Sequence, residues 1–124
     1  MRTKLIMFFL FIAANVFAQK VVYCDLAGHS NIHRTKVNIE VDLGQSHRGE
    51  YAKTAQLVDD KGDKIIFKSM ADAANYMAER GWKVISCYNI IIPTLRGEEH
   101  EIHFIMEKTL NEGDLITDGL LFAK

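Results

Sequence analysis

The sequence predicts an α+β fold, with a single mainly antiparallel sheet of about five to six strands and one amphipathic helix, about residues 69–80, packed on one face. Three observations predict it. The segment Thr35–Leu43 alternates apolar and polar residues, as a strand with one buried face does. Residues 69–81 combine helical periodicity with start and stop signals. A β-prone run over residues 82–92 follows directly and ends at Pro93, the only proline.

The first 18 residues have the layout of a secretory signal peptide. Two basic residues precede an apolar run of ten, Leu5–Ala14, and Val16 and Ala18 suit the −3 and −1 positions of a cleavage site. The run is shorter than the roughly 20 residues that a membrane helix needs. We therefore expect cleavage after Ala18 and a single exported domain, residues 19–124, in the periplasm or outside the cell.

The charge balance of the exported part is mildly acidic. The chain has 15 Lys and Arg against 16 Asp and Glu, and the predicted signal peptide contains two of the basic residues. The remaining 13 basic and 16 acidic residues give a net charge of −3. Nucleic-acid binding requires a basic stripe, so this balance gives no support for that class of function. We expect no cofactor and no membrane association after cleavage.

Two polar loops follow the first two predicted strands, Lys20–Leu26 and Thr35–Leu43. Loops positioned by a rigid scaffold often carry function, so these loops are the predicted location of a binding site. The alternative is that both are solvated connections. The candidate binding residues are His29 and His33 in the first loop and His47, Arg48 and Tyr51 in the second.

The predicted helix begins and ends at recognisable residues. Ser69 is the expected N-cap, with the acidic Asp72 three positions later, and Gly81 is the expected stop. Before the helix, Gln56–Val58 and Ile65–Phe67 are predicted as short strands joined by a turn. The residues of the helix that recur on one face are Met70, Ala73, Ala74 and Met77.

After the helix, residues 82–92 are predicted to form a strand that is flanked by others and covered on parts of both faces, because its apolar run hardly alternates. Trp82 is expected to fill the space between the helix end and the sheet; the alternative is a stacking platform for a ligand. His100–Lys108 is the last predicted strand. The apolar tail, residues 111–124, either adds an edge strand or presents a patch to a partner.

The metal and thiol chemistry suggested by the sequence is limited. His100 and His103 are three residues apart on a predicted strand, whereas a zinc-protease motif needs two histidines four apart on a helix. We expect no metal site. Cys24 and Cys87 both lie in predicted strands, where export favours a disulfide and burial favours two free thiols. The sequence leaves that choice open.

The junction Gly81-Trp82, between the helix and the strand Lys83-Val84-Ile85-Ser86, resembles a family of small uncharacterised bacterial domains. In that family a Gly-Trp pair follows a helix, and a closing hairpin completes the fold. The similar region covers about residues 64–108, and its last strand ends in the basic Lys108. The resemblance implies a compact α+β fold and no catalytic residues.

The function predicted from these features is that of an exported, non-enzymatic binding or protein-interaction module. A protein partner, or a second copy, would bind at a sheet edge or at the C-terminal apolar tail. The alternative is a small secreted hydrolase or metal-binding protein. That alternative would use loop histidines with a carboxylate: His29, His33 and His47 with Glu50 or Glu98.

Overall fold

The computed structural model describes residues 19–30, 35–44 and 56–123. The predicted signal peptide lies outside these ranges, so its cleavage and the export of the domain stay predictions. The described part of the chain contains no helix that could span a membrane.

The described chain folds into one antiparallel sheet and one helix, which confirms the α+β class. The strand order across the sheet is β2-β1-β4-β3, and every neighbouring pair is antiparallel. The elements in chain order are β1 (Lys20–Ser30), β2 (Val37–Asp42), α1 (Met70–Ala78), β3 (Lys83–Thr94) and β4 (Gly97–Leu110).

The expectation of five to six strands is not confirmed, because the described sheet has four. The predicted short strands at Gln56–Val58 and Ile65–Phe67 form only isolated bridges, such as Val37 with Phe67 and Val58 with Lys64. Two or three residues make too few ladder hydrogen bonds for an independent strand. Their apolar side chains still contribute to the core through Leu57 and Phe67.

The ends of α1 satisfy backbone groups as the sequence predicts. The Ser69 hydroxyl oxygen accepts the Asp72 N–H at 3.0 Å, and an Asp72 carboxylate oxygen accepts the Lys68 N–H at 3.0 Å. At the other end, Gly81 has φ 90° and the Trp82 N–H donates to the Met77 carbonyl at 3.1 Å. This Schellman-type end turns the chain directly from the helix into β3.

The core lies between α1 and the sheet face that carries Cys24, Leu26 and Met106, which is called the core face here. Ala73 and Met77 pack on it from the helix. Trp82 is only 2% exposed, so it fills the space below the helix end, as predicted, and is not a ligand platform. The remaining buried core members are Val37, Ile39, Val41, Leu43, Leu57, Phe67, Leu110, Ile116 and Leu120.

The C-terminal tail is docked on the core. Ile116 and Leu120 are buried, and the tail forms backbone hydrogen bonds with the segment 56–58. The Arg80 Nε–H donates to the Gly119 carbonyl at 2.8 Å, which ties the tail to the end of the helix. Ile116 and Leu120 of the tail are therefore part of the core, whereas Leu115 and Leu121 are exposed.

The position of β3 corrects the prediction of a strand flanked by others. Among the described strands, β3 pairs with β4 alone, and all 12 of its residues are exposed. A run of apolar residues predicts a strand, but the run by itself does not distinguish a central strand from an edge strand. The neighbour relations of the folded sheet place β3 at the edge.

We expect Met77→Ala to lower the free energy of unfolding by about 2–5 kcal/mol, because Met77 is fully buried and its removal leaves a cavity under the helix. Urea unfolding followed by circular dichroism measures the change. Asn75→Ala, on the exposed face of the same helix, is the control and should change stability by less than about 0.5 kcal/mol. A loss below about 1 kcal/mol for Met77→Ala would contradict the packing described.

Candidate functional site

The two edges of the sheet differ in how they are covered. The outer edge of β2 is partly closed: the Val37 N–H donates to the Phe67 carbonyl at 2.8 Å, and Glu40 forms a bridge with Gln56. The exposed residues of β2 are polar or charged: Asn38, Glu40 and Asp42. Such cover and charge normally protect an edge strand from pairing with another chain. This edge is therefore a poor docking site.

The opposite edge, β3, is open over the described residues and carries no formal charge from Val84 to Thr94. Tyr88 is 42% exposed and Ile91 is 53% exposed. Natural edges that long are usually guarded by charged residues, bulges or proline. The exposed large apolar side chains of β3 are Val84, Ile85, Tyr88, Ile90, Ile91 and Ile92.

Structural guards occur only near the two ends of β3. The pairing register with β4 shifts between Val84 and Ser86, which marks a bulge. Pro93, near the other end, has no N–H to donate. The seven residues between these guards, Ser86–Ile92, form a regular and uncharged edge, which is called the open edge here. An extended chain of about seven residues fits alongside it.

The hairpin geometry indicates which backbone groups of the open edge face outward. Thr94 pairs with Gly97 across a two-residue turn, and such a turn closes on a hydrogen-bonded pair. Hydrogen-bonded and non-hydrogen-bonded pairs alternate from there along β3 and β4. We therefore expect the N–H and C=O groups of Cys87, Asn89 and Ile91 to point away from β4.

The register also separates the side chains of the open edge onto two faces. Cys87, Asn89 and Ile91 lie on the core face, because Cys87 is opposite Phe104, which is opposite Leu26. Their neighbours lie on the other face, which is called the outer face here: Ser86, Tyr88, Ile90 and Ile92. A strand added to this edge would meet side chains on both faces.

A groove of about 1220 Å³ lies on the core face beside the open edge, between the start of α1 and the β3–β4 hairpin. It lies where the hairpin extends beyond His29, the last residue of β1 that pairs with β4 and the residue opposite Glu101. Side chains of a docked strand can reach into this space. The described lining includes Gly28, Met70, Cys87, Asn89, His100 and Ile102.

A polar cluster on the outer face fixes Tyr88 beside the open edge. The Tyr88 hydroxyl donates to Asp25 Oδ2 at 2.6 Å, and His103 Nδ1 hydrogen-bonds Asp25 Oδ1 at 2.8 Å. The Tyr88 and His103 rings stack at 4.6 Å between centroids with 13° between their planes. His103 is buried at 8% exposed. These contacts connect β1, β4 and β3 through side chains.

Glu101 extends this cluster to a second histidine. His103 Nε2 lies 2.8 Å from Glu101 Oε1, and His29 Nε2 lies 3.5 Å from Glu101 Oε2. The distance between His103 and Glu101 is that of an ion pair, but the geometry is not that of a hydrogen bond. Asp25 of β1 therefore contacts His103 of β4. Glu101 of β4 contacts both His103 of its own strand and His29 of β1, and together these pairs form a structural network.

The hydrogen bond to Asp25 is the largest of the causes that raise the pKa of Tyr88 to about 12. Desolvation and the negative charges of Asp25, Glu101 and Asp42 act in the same direction. The hydroxyl is therefore a bound donor at neutral pH. Among the described residues, no group of three or more His, Cys, Asp or Glu side chains has an arrangement that could hold a metal ion.

Of the binding residues predicted from the sequence, the structure describes only His29. It lies on β1, which continues to Ser30, and not in the loop that the sequence predicts. His33, His47, Arg48 and Tyr51 lie outside the described residues, so their convergence stays a prediction. Glu98, the described carboxylate of the hydrolase alternative, is exposed near the turn of the β3–β4 hairpin.

Sequence reasoning missed Asp25, Tyr88 and Glu101 as members of one cluster. The alternation of each strand does put His103 and Glu101 on one face of β4. Their meeting with Asp25 and Tyr88 depends on the register of three strands, which no local pattern specifies.

The two cysteines are free thiols in different environments. Cys24 is buried, and burial, followed by the charges of Asp25 and Asp42, raises the pKa of its thiol to about 12. Cys87 is exposed on β3. Because β4 lies between their strands, the two residues are at least about 10 Å apart, beyond the roughly 7 Å limit for a disulfide.

We expect Tyr88 to ionise with a pKa of about 12, and Asp25→Asn to lower that pKa toward 10 by removing the negatively charged hydrogen-bond acceptor. The raised pKa contributes stability below about pH 10, and this contribution is lost as the pH rises through about 12. NMR of labelled tyrosine, assigned with Tyr88→Phe, measures the titration. Asp60→Asn, the same charge change in a remote turn, is the control. An unchanged Tyr88 pKa in Asp25→Asn would contradict the hydrogen bond.

We also expect one thiol of the native protein, diluted to a concentration at which it is monomeric, to react quickly with a thiol reagent near pH 8. Cys87 is exposed, whereas Cys24 is buried and has a raised pKa, so Cys24 should react only on unfolding. Cys87→Ser should abolish the fast reaction and Cys24→Ser should preserve it. Thiol counting in native and denaturing buffer measures both. A protein with no reactive thiol even when denatured would contradict the free cysteines.

Comparison of the chain with protein-family models, with curated proteins and with solved structures finds no match.

Proposed function

We propose that the protein is an exported, non-enzymatic interaction module that binds an extended segment of polypeptide along the open edge, Ser86–Ile92. A bound strand would form backbone hydrogen bonds with β3 and continue the sheet beyond it. The single observation that carries this proposal is the exposure of an uncharged, apolar edge strand.

The exposed edge has a free-energy cost in the isolated protein. Unpaired N–H and C=O groups of an edge are satisfied by water, but exposed Ile and Tyr side chains leave apolar surface in contact with water. A docked strand removes part of that surface and replaces backbone–water hydrogen bonds with backbone–backbone ones. Each fully buried Ile side chain contributes roughly 1.5–3 kcal/mol.

The cluster around Asp25 supports binding through pre-organisation. Tyr88 is held by its hydrogen bond to Asp25 and by stacking on His103, so its ring is already placed on the outer face. A partner that packs on this ring loses less conformational entropy than one that must order it.

The C-terminal tail is a weaker candidate surface than the open edge. Its Ile116 and Leu120 are buried in the domain, and the exposed Leu115 and Leu121 stand apart from the continuous apolar row of β3. Of the histidines that the hydrolase alternative would use, the structure describes only His29, which lies 3.5 Å from Glu101. Export itself rests on the predicted signal peptide and belongs to the proposal.

To test the proposal, the full chain is produced with its own leader, purified, and used to capture proteins from the exported fraction of its source. We expect Ile90→Lys to reduce capture of a specific partner at least tenfold, because the charged head would lie in the apolar row of the open edge. Val21→Lys is the matched control: Val21 is an exposed apolar residue of β1 on the same outer face, away from the open edge.

The purified partner is then titrated against both variants by calorimetry. Binding that survives Val21→Lys and is lost in Ile90→Lys supports the open edge. Binding that is equally strong in both variants would refute it, provided that circular dichroism shows both variants folded.

A further inference from the structure

We propose that the occupant of the open edge is a second copy of this chain, so that two β3 strands pair antiparallel about a two-fold axis through Asn89. This inference rests on the proposed function and names its partner. The result is a continuous sheet in which the two four-stranded sheets are joined edge to edge.

Symmetry and the two guards together select the register. A two-fold axis perpendicular to the sheet keeps each side chain on its own face, so the axis must pass through a residue that pairs with its own copy. The open edge runs from the bulge before Ser86 to Ile92, the residue before Pro93, and Asn89 is its middle residue. Only an axis at Asn89 pairs every residue of the open edge with another residue of the open edge.

The outward backbone groups match in this register. Asn89 is opposite its own copy, and Cys87 is opposite Ile91 of the second copy. These are the three residues whose N–H and C=O groups are expected to face away from β4, and each has an N–H to donate. Three opposed pairs, each exchanging two bonds, give about six hydrogen bonds between the copies. Pro93, which has no N–H, lies outside the paired segment.

The side chains of the two copies are also complementary in this register. On the outer face, Tyr88 of each copy is opposite Ile90 of the other, an aromatic–β-branched pair of the kind that stabilises antiparallel strands. On the core face, the two Asn89 side chains meet at the axis and Cys87 meets Ile91. No formal charge occurs between Val84 and Thr94, so self-pairing brings no like charges together along the open edge. A strand that is neutral and self-complementary favours its own copy as partner.

Asn89→Asp is the test, because it replaces the amide group, whose nitrogen lies 3.0 Å from His100 Nδ1, with a carboxylate and places two carboxylates opposite each other at the axis. We expect the full chain, produced with its own leader, to sediment as a dimer, and Asn89→Asp to raise the dimer Kd at least tenfold at neutral pH and low salt. Raising the salt concentration should reverse part of that loss. Asn38→Asp makes the same change on an exposed residue of β2, at the other edge, and should leave the Kd unchanged.

Amide hydrogen exchange checks the register independently of any substitution. In the dimer, the N–H groups of Cys87, Asn89 and Ile91 should be protected, and dilution below the Kd should release them at least tenfold faster. The N–H groups of Tyr88, Ile90 and Ile92, which are expected to bond to β4, should stay protected on dilution. Protection of the outward amides that does not depend on concentration would overturn the inference.

The outcomes separate this inference from the proposed function. A chain that stays monomeric at millimolar concentration overturns the second copy, while capture of a foreign strand that Ile90→Lys abolishes still supports the open edge. A dimer that tolerates Asn89→Asp as well as Asn38→Asp overturns the pairing at Asn89. A dimer whose Kd rises in Asn89→Asp and stays unchanged in Asn38→Asp supports both the second copy and the open edge.

Discussion

The backbone pairing of β4 on both of its sides is the interaction on which the rest of the structure depends. Its residues from Glu101 to Leu110 pair with β1, and its residues from Gly97 to Glu107 pair with β3. Backbone ladders satisfy obligatory donors and acceptors that would otherwise be buried without partners. Through β4 the core strands β1 and β2 hold β3, which has no other neighbour in the described sheet.

The two parts of β3 have different surroundings. Its first residues must follow the helix end, where Gly81 turns the chain and Trp82 is buried under α1. Its central residues are exposed and do not enter the core, and the hairpin extends past the last residue of β1 that pairs with β4. The same strand is therefore anchored at one end by the core and exposed along the rest. The backbone of this exposed apolar strand is already ordered, because β4 pairs with it along its length.

The polar cluster on the outer face connects β3 to β1 and β4 through side chains. Asp25 accepts hydrogen bonds from Tyr88 and His103, so one carboxylate of β1 reaches across β4 to β3. Loss of the hydrogen bond between His103 Nδ1 and Asp25 would leave a further buried polar atom without a partner, which costs free energy. The cluster thus has a structural explanation, and it fixes the position of the Tyr88 ring on the outer face.

The sequence by itself determined the local features: the cap at Ser69, the stop at Gly81, the burial of Trp82, and the alternation that places Val37, Ile39 and Val41 in the core. These depend on residues a few positions apart, where capping chemistry and side-chain periodicity act directly. Tertiary structure alone decided that the apolar run after Trp82 is an edge strand, that His29 lies on a strand, and that Asp25, Tyr88, Glu101 and His103 meet. Strand order and register depend on contacts between residues tens of positions apart, and those contacts are chosen by the packing of the whole sheet on the helix.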